Sequence, residues 1–366
     1  MSTLQHEVDI GQIERDLVKL LRQPENLSST GQPGTRTAVL TLVAVAADPS
    51  TQERIEATLE ALIEHHPSRT VVIRTSAATN GPELDAWVNV TCKTIGTSGL
   101  KACVDQIVIQ STPPALRRVP NVVLPLLLAE LPVVLWWPGE PPLREPLLYD
   151  LLEPATRFVV DTLGFVHVER TLISLNNLRQ RPTVRVDLGD LNWDRLLAWR
   201  ELVAQFWDVP SWRSQLRSVE RVEIDLGKPA GGRSNRAQAL LMAGWLASRL
   251  GWRPEGMLRR SDGYRLIARR GRRDVEIDVR ILPGQPSGLR GVRVSTGKVV
   301  FAVEAQGSDA AAMTIGPPGG EPTYQRVARL EQLDEPQLLA HELDTTTVDR
   351  VYVESLQAAA SFLTAG

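Results

Sequence analysis

The segment from 124 to 142, LPLLLAELPVVLWWPGEPP, constrains the fold more than any other part of the sequence. It is an almost uncharged apolar run that ends in two adjacent tryptophans, Trp136 and Trp137, before proline and glycine interrupt it. Successive side chains of a strand point to opposite faces, so both tryptophans are buried only if the strand is covered on both sides. Such covering is typical of parallel sheets flanked by helices. Alternatively, the two tryptophans, with Pro138 and Glu140, contribute to a surface that binds a partner protein.

The residues before this segment predict the same kind of sheet. The run TAVLTLVAVAA begins at Thr37, a helix is predicted over 50–65, and RTVVIRTS at 69–76 predicts a second strand. This strand–helix–strand order favours a right-handed crossover in a largely parallel sheet. AWVNVTCKTI and KACVDQIVIQ, which flank 96–99, predict a hairpin. A further helix is predicted over about 115–129.

The second half of the chain has a different pattern. VRVDL at 184–188 and VEIDL at 222–226 alternate, and they bracket a helix for which Asn192 is the expected N-cap. A helix is predicted over 234–250, with Gly251 as its C-cap. DVEIDVRIL and VRVSTGKVVFAVE alternate strictly between apolar and polar residues, which indicates an antiparallel sheet with one polar face.

These patterns predict two domains, as does the length of 366 residues. The expected fold is an α/β N-terminal domain with a mixed, partly parallel sheet and flanking helices, followed by an α+β C-terminal domain with an antiparallel sheet and C-terminal helices. The expected bounds are 1–35 for an amphipathic helix and a flexible linker, 36–182 for the α/β domain and 183–366 for the α+β domain.

Composition narrows the possible partners and the compartment. The formal net charge is −2, which provides no general attraction to nucleic acid or to an anionic membrane. Neither a signal peptide nor a membrane span is evident, and the two cysteines, Cys92 and Cys103, fit a reducing environment. We therefore expect a soluble, cytoplasmic protein. The two cysteines fall on the strands of the predicted hairpin, where they are either buried thiols or a redox-active pair.

Several catalytic motifs are missing from the sequence. No G-x-G-x-x-G follows a predicted strand, and there is no P-loop, H-E-x-x-H or G-x-S-x-G motif. The five histidines are scattered, and no cysteines have metal-binding spacing. Chemistry by this chain alone is therefore not expected, and neither is a bound metal or cofactor.

The loop GKPAGGRSNR at 227–236 is the best candidate for binding a small anion. It leads from a strand into a helix, where backbone amides together with Lys228, Arg233, Asn235 and Arg236 would suit a phosphate group. On this interpretation the chain is an enzyme or sensor that binds a phosphorylated sugar or nucleotide. The alternative is an unliganded loop followed by a helix that Ser234 caps.

Two other basic segments allow a functional and a structural interpretation. The arginine-rich stretch 253–280 is either a nucleic-acid surface or a solvated β-turn region, and the near-neutral net charge argues against nucleic acid. His66 and Arg69, in HPSR, either contact an anion or end a helix at Pro67.

Six segments of the chain, in this order, resemble the OpcA family, the glucose-6-phosphate dehydrogenase assembly proteins of cyanobacteria and actinobacteria. These segments are HPSR at 66–69, CVDQI at 103–107, LPLLLAELPVVLWWPGEPP, LLEPATRFVVDT at 151–162, DLNWDRLLAWRELVAQFWD at 190–208 and GGRSNRAQALLMAGWLASRLGW at 231–252.

The resemblance implies a non-catalytic role. Members of the family bind glucose-6-phosphate dehydrogenase, favour its active oligomer and raise its activity, and they thereby control the oxidative pentose phosphate pathway. NADP and glucose 6-phosphate would then belong to the partner enzyme. In photosynthetic members, activation is linked to cysteines near the C-terminus. This chain has no cysteine after Cys103, so redox control by that route is not expected.

Overall fold

The computed structural model describes residues 9–27, 32, 35–63, 66–75, 83–95 and 100–365. Most of the predicted linker and the connection at 96–99 lie outside the described residues. The chain forms two compact units, and it passes between them several times rather than once near residue 182. The first unit comprises Met1–Gly164, Arg179–Gly189 and Glu335–Val348, and the second comprises Phe165–Leu178, Asp190–Asp334 and Asp349–Gly366.

The first unit is built on a sheet of eight strands. The strands are β1 (Thr35–Arg36), β2 (Leu40–Ala46), β3 (Ser68–Thr75), β4 (Leu84–Ile95), β5 (Leu100–Ser111), β6 (Val133–Trp137), β7 (Arg157–Val160) and β8 (Asp187–Asp190). Their spatial order is β1-β5-β3-β2-β6-β7-β8, and β4 pairs antiparallel with β5. The chain therefore builds outward from β2 in one direction, through β3 and β5, and then returns to the other side of β2 with β6 and β7.

Helices flank this sheet because its central strands are apolar on both faces. Every residue of β2, β6 and β7 is buried. The helices are α1 (Ile10–Leu21), α2 (Pro49–Leu62), α3 (Val119–Val123), α4 (Pro146–Leu152) and α10 (Glu335–Asp344). Helix α1 buries Ile13, Leu17 and Leu21 and packs against β4, so the N-terminal amphipathic helix lies on its own unit.

Two predictions for this region were wrong in detail. The helix predicted over 115–129 is limited to the five residues of α3, with 3-10 turns at 113–118 and 124–126. Two prolines within 115–129, Pro120 and Pro125, interrupt the helical hydrogen-bond pattern. VRVDL was predicted as a strand of the second domain. Only Asp187–Asp190 forms a strand, and it joins the first sheet beside β7.

The second unit contains another eight-stranded sheet. Its strands are β9 (Arg221–Lys228), β10 (Arg253–Arg260), β11 (Gly263–Arg270), β12 (Arg273–Pro283), β13 (Gly288–Ser295), β14 (Val300–Gln306), β15 (Ala310–Gly316) and β16 (Tyr324–Arg329). The order is β10-β11-β12-β9-β13-β14-β15-β16, and every pair is antiparallel except β9 with β12. The predicted fold class is thus confirmed for both halves of the chain.

Two long helices of the second unit pack closely together. The remaining helices are α5 (Val168–Arg179), α6 (Leu191–Asp194), α7 (Leu197–Gln205), α8 (Pro210–Arg213), α9 (Arg236–Leu250) and α11 (Arg350–Thr364). A Cβ on Gly244 of α9 would lie 2.1 Å from the carbonyl oxygen of Ser355 on α11, so only glycine permits this approach. Gly251 ends α9 with a φ of 65°, as predicted.

Two predicted helix caps were displaced by neighbouring residues. Asp190, not Asn192, caps α6, because its carboxylate accepts a hydrogen bond from the Asn192 amide at 3.0 Å. Asn235, not Ser234, caps α9 by accepting from the Gln238 amide. In the part of the chain that the structure describes, no helix is both long enough and apolar enough to cross a bilayer.

Candidate functional site

The strand order of the first sheet has a topological switch point between β2 and β6. From β2 the chain adds β3 and β5 on one side, and it later adds β6 and β7 on the other side. Ligands of doubly wound sheets bind at the carboxyl ends of the two strands where the direction changes. The side chains that follow β2 and β6 therefore indicate whether a nucleotide can bind here.

Doubly wound sheets that bind dinucleotides hold the phosphates at a glycine-rich turn between a strand and a helix N-terminus, and Asp48 lies in the turn between β2 and α2. It follows β2 and caps α2, accepting from the Thr51 amide at 2.9 Å and from the hydroxyls of Ser50 and Thr51 at 2.6 and 2.7 Å. The hydrogen bond from Ser50, followed by those from Thr51, lowers the pKa of Asp48 to about 2. Pro49 supplies no amide proton in the first turn. The helix N-terminus is therefore already satisfied by a fixed carboxylate, which repels a phosphate group.

Trp136 and Trp137 lie at the carboxyl end of β6, on the other side of the switch point from β2. They lie at the end of β6 with 0% and 3% of their surfaces exposed, so β6 is covered on both faces, as the sequence indicated. Neither indole nitrogen has a hydrogen-bond partner among the described residues. A partner cannot contact the tryptophan rings in this conformation. The rings act as supports for the loop that follows them.

The loop that follows the two tryptophans is partly accessible to solvent. Pro138 is buried, whereas Gly139 and Glu140 are half-buried. A docking role for Trp136, Trp137, Pro138 and Glu140 stays a prediction, and within this set the side chain of Glu140 is the one placed to contact a partner.

Two segments of the OpcA-like sequence meet in a buried ionic cluster. Arg69, from HPSR, donates from Nη2 to Asp105, from CVDQI, at 3.0 Å, and their side chains are 4% and 6% exposed. Arg36 also donates to Asp105, and Glu14 of α1 accepts from Arg69 at 2.8 Å. Arg69 further donates to the carbonyl of Leu126 at 3.1 Å. The cluster ties α1 to the sheet, and its two positive charges are balanced by two carboxylates. Arg69 thus neither caps the preceding helix nor offers an unpaired charge to an anion.

Cys92 and Cys103 form a disulfide across the hairpin. The two residues are directly opposite each other in the β4–β5 register, with Cα atoms 4.0 Å apart. The two cysteines are therefore bonded to each other rather than present as buried thiols, and redox activity of the pair stays a prediction. Cys103 is fully buried, and it precedes Asp105 on the same face of β5, so the disulfide lies beside the ionic cluster.

The basic loop before α9 does not gather its four predicted side chains around one point. Asn235 is buried and exchanges amide hydrogen bonds with Asn192 at 2.8 and 2.9 Å. Arg236 pairs with Glu169 at 2.7 Å. Lys228 and Arg233 are exposed. Anion binding by these residues stays a prediction, and it now depends on Lys228 and Arg233 alone.

Five of the nine arginines of 253–280 form ion pairs with acidic residues of the second sheet. Asp278 accepts from Arg265 at 2.7 Å and pairs with Arg260 at 3.2 Å, and Asp225 accepts from Arg280 at 2.8 Å. This neutralisation removes much of the positive field that a nucleic-acid surface requires. Among the described residues, no group of three or more histidine, cysteine, aspartate or glutamate side chains is arranged to hold a metal ion.

Matches to protein families cover most of the chain. Residues 59–177 match the model of the glucose-6-phosphate dehydrogenase subunit N-terminal domain, and residues 186–356 match the corresponding C-terminal domain. The chain is 31% identical over 267 residues to a putative OxPP cycle protein OpcA of Synechocystis sp., and the match covers 69% of this chain. It is 38% identical over 168 residues to the protein of the same name from Nostoc punctiforme, covering 46% of this chain.

The chain belongs to the OpcA family. The matches cover 54% of the Synechocystis protein and 34% of the Nostoc protein, so the chain spans about half, or less, of the length of these relatives.

The fold is similar to that of dinucleotide-binding oxidoreductases. KijD10, a 3-ketoreductase from Actinomadura kijaniata whose structure contains NADP and TDP-benzene, superposes with a TM-score of 0.50 at 9% identity, covering 88% of this chain and 95% of KijD10. Identity this low shows the fold alone. The residues after β2 do not fit a dinucleotide, because Asp48 and Pro49 stand where glycines and free amides would bind its phosphates.

Proposed function

We propose that this chain is a non-catalytic assembly factor and allosteric activator that binds glucose-6-phosphate dehydrogenase and favours its active oligomer. The observation that carries the proposal is a doubly wound sheet in which the turn after β2 holds the capping carboxylate of Asp48, whose negative charge disfavours a nucleotide phosphate. Membership of a family defined by the dehydrogenase supports it. The fold would then act as a rigid support for contacts with another protein.

Activation of this kind requires a difference in affinity. A protein that binds two states of an enzyme equally well changes nothing, whereas a preference of about 1.4 kcal/mol shifts their ratio about tenfold. Stabilising a higher oligomer has the same effect, because the chain adds contacts that only the assembled enzyme provides.

We propose that the loop after β6 contacts the dehydrogenase, as the sequence predicted. Because Trp136 and Trp137 are buried, replacing them with alanine would damage the core and would not test docking. Glu140→Lys is the better variant, because the Glu140 side chain is partly exposed and can be changed without removing a core residue. Asp150→Lys, at an exposed position of α4, is the matched control. We expect weaker enzyme binding from the first variant only.

The activity is tested by titration of the purified chain into the dehydrogenase of the same organism. We expect the initial rate of NADP reduction to rise and then saturate with added chain, while the chain alone gives no turnover. A rate that does not depend on the chain would refute activation. The melting temperature of the isolated chain provides a second test. A shift in this temperature on adding sugar phosphates alone would favour a ligand-binding protein instead.

A further inference from the structure

The second sheet ends in an edge strand whose backbone is available for pairing. Strand β16 pairs with β15 on one side, and the sheet order ends there. Five of its six residues are exposed, and Val327 is 62% exposed. Unpaired strand edges are templates for the addition of another strand.

The pairing register identifies the backbone groups that point outward. The Leu330 amide donates to the carbonyl of Asp309, opposite it in the register, at 2.7 Å. Inward and outward backbone groups alternate along an antiparallel strand. The amides and carbonyls of Gln325, Val327 and Arg329 therefore point away from β15, towards the open edge.

A row of apolar side chains, two of them aromatic, leads to this edge. Phe301, Ile315 and Tyr324 are aligned across β14, β15 and β16 on one face of the sheet. Trp212 lies over the row, with its ring centroid 6.1 Å from both Phe301 and Tyr324. Tyr324 is 40% exposed at the end of the row. An apolar residue of an added strand opposite Tyr324 would extend this row.

Half-buried and exposed apolar groups continue beside the row. Trp207 packs against Phe301 with their ring centroids 4.4 Å apart, and Trp207 is half-buried, as is Trp212. Val209 is 40% exposed. Tryptophan, tyrosine and arginine are the residues that contribute most to protein–protein binding.

The two segments that form this surface, 206–218 and 324–329, carry a net positive charge. Segments 206–218 and 324–329 contain four arginines, all of them exposed, and one acidic residue, Asp208. Arg213 donates to the backbone carbonyl of Trp207 at 2.9 Å. None of the four has an ion pair among the described residues. The other arginines are Arg217, Arg326 and Arg329.

We propose that β16 and the neighbouring segment 206–218 bind an extended segment of the dehydrogenase that carries both acidic and apolar side chains and adds to the sheet as a ninth strand. This surface rests on the proposed function and gives the chain a contact with the enzyme that is independent of the 138–142 loop. Arginines alone would be enough to protect an exposed edge from pairing. They do not explain why a row of apolar side chains leads to that edge and ends in Tyr324, which is 40% exposed.

The first test removes an outward amide without altering the sheet. Val327→Pro deletes a backbone donor that β15 does not use, and proline is tolerated on the open side of an edge strand. Val327→Thr keeps the amide and serves as the matched control. For both variants we expect an unchanged circular dichroism spectrum and melting temperature. We expect Val327→Pro to weaken binding to the dehydrogenase at least about tenfold, and Val327→Thr to bind within twofold of the wild type.

A second measurement does not depend on a variant. Hydrogen exchange of the Gln325, Val327 and Arg329 amides is expected to be fast in the isolated chain and slow in the complex. A third measurement tests the role of charge. The double variant Arg217→Glu with Arg329→Glu should bind the dehydrogenase more weakly, and its affinity should depend less on salt concentration.

The outcomes separate this surface from the function as a whole. If the wild-type chain does not bind the dehydrogenase, the proposed function fails. If the wild type binds and Val327→Pro binds equally well, or if the three amides gain no protection, the strand-addition surface is refuted while the function stands. Self-association of the chain that Val327→Pro abolishes, with enzyme binding intact, would assign the edge to a second copy and also overturn the proposal.

Discussion

Replacement of Asp105 by asparagine tests whether the buried ionic cluster holds the first unit together. Asp105 accepts hydrogen bonds from Arg69 and Arg36, and the side chains of Asp105 and Arg69 are both less than a tenth exposed. Removing one partner of a buried pair leaves a charge uncompensated, which costs about 3–5 kcal/mol. Arg69 keeps Glu14 at 2.8 Å, so the expected loss is at the lower end, about 3 kcal/mol.

Urea unfolding followed by tryptophan fluorescence and circular dichroism measures this loss. With a urea dependence of about 1–3 kcal/mol per molar, a 3 kcal/mol loss lowers the midpoint by about 1–3 M. The matched control is Asp9→Asn, which breaks an ion pair with Arg15 whose side chains are 63% and 59% exposed. An exposed pair contributes about 0–1 kcal/mol, so the control midpoint should barely change.

A double replacement distinguishes an uncompensated charge from simple loss of packing. Arg69→Met with Asp105→Leu removes both charges from the interior and should recover much of the stability that Asp105→Asn loses. If Asp105→Asn instead unfolds within about 1 kcal/mol of the Asp9→Asn control, the cluster does not stabilise the unit as we propose.

Three further stability predictions follow from single contacts. Asp48→Ala should cost about 0.5–2 kcal/mol near pH 7. Because the folded pKa of Asp48 lies below its ordinary value of 3.8, its contribution is full above about pH 4 and is lost as the pH falls through about 2, so urea midpoints of variant and wild type should converge on acidification. Reduction of the Cys92–Cys103 disulfide, which closes a loop with a sequence separation of 11, should lower stability by up to about 3 kcal/mol, and equal midpoints with and without dithiothreitol would contradict this. Gly244→Ala places a methyl group against the Ser355 carbonyl and should lower the melting temperature, whereas an unchanged value would mean that α9 and α11 separate freely.

The sequence predicted the layers of the fold better than its local details. Two adjacent tryptophans in an apolar run required a strand covered on both faces, and β6 has that environment. The sequence also predicted the hairpin that carries Cys92 and Cys103, but it did not fix the register, so their pairing is known only from the structure. The caps did not follow, since Asp190 and Asn192 are both good capping residues and the choice depends on the extended backbone at Asp190.

Contacts between distant segments could not be predicted from composition or spacing. The Arg69–Asp105 pair joins β3 to β5, and seeing it requires the register of two parallel strands. Asn235 and Asn192 are 43 residues apart and satisfy each other, which removes Asn235 from the predicted anion site. The binding surface at β16 was not predicted, because its row of apolar side chains comes from three strands and a separate helical segment.

The most direct test of the proposed function is the mass distribution of the dehydrogenase with and without the chain. Mass photometry at an enzyme concentration where small and large oligomers coexist reports both states in one sample. We predict that adding the chain moves the population to the larger oligomer, with a mass that includes the bound chain, at concentrations that also raise the reaction rate. An unchanged distribution at saturating chain would contradict the account.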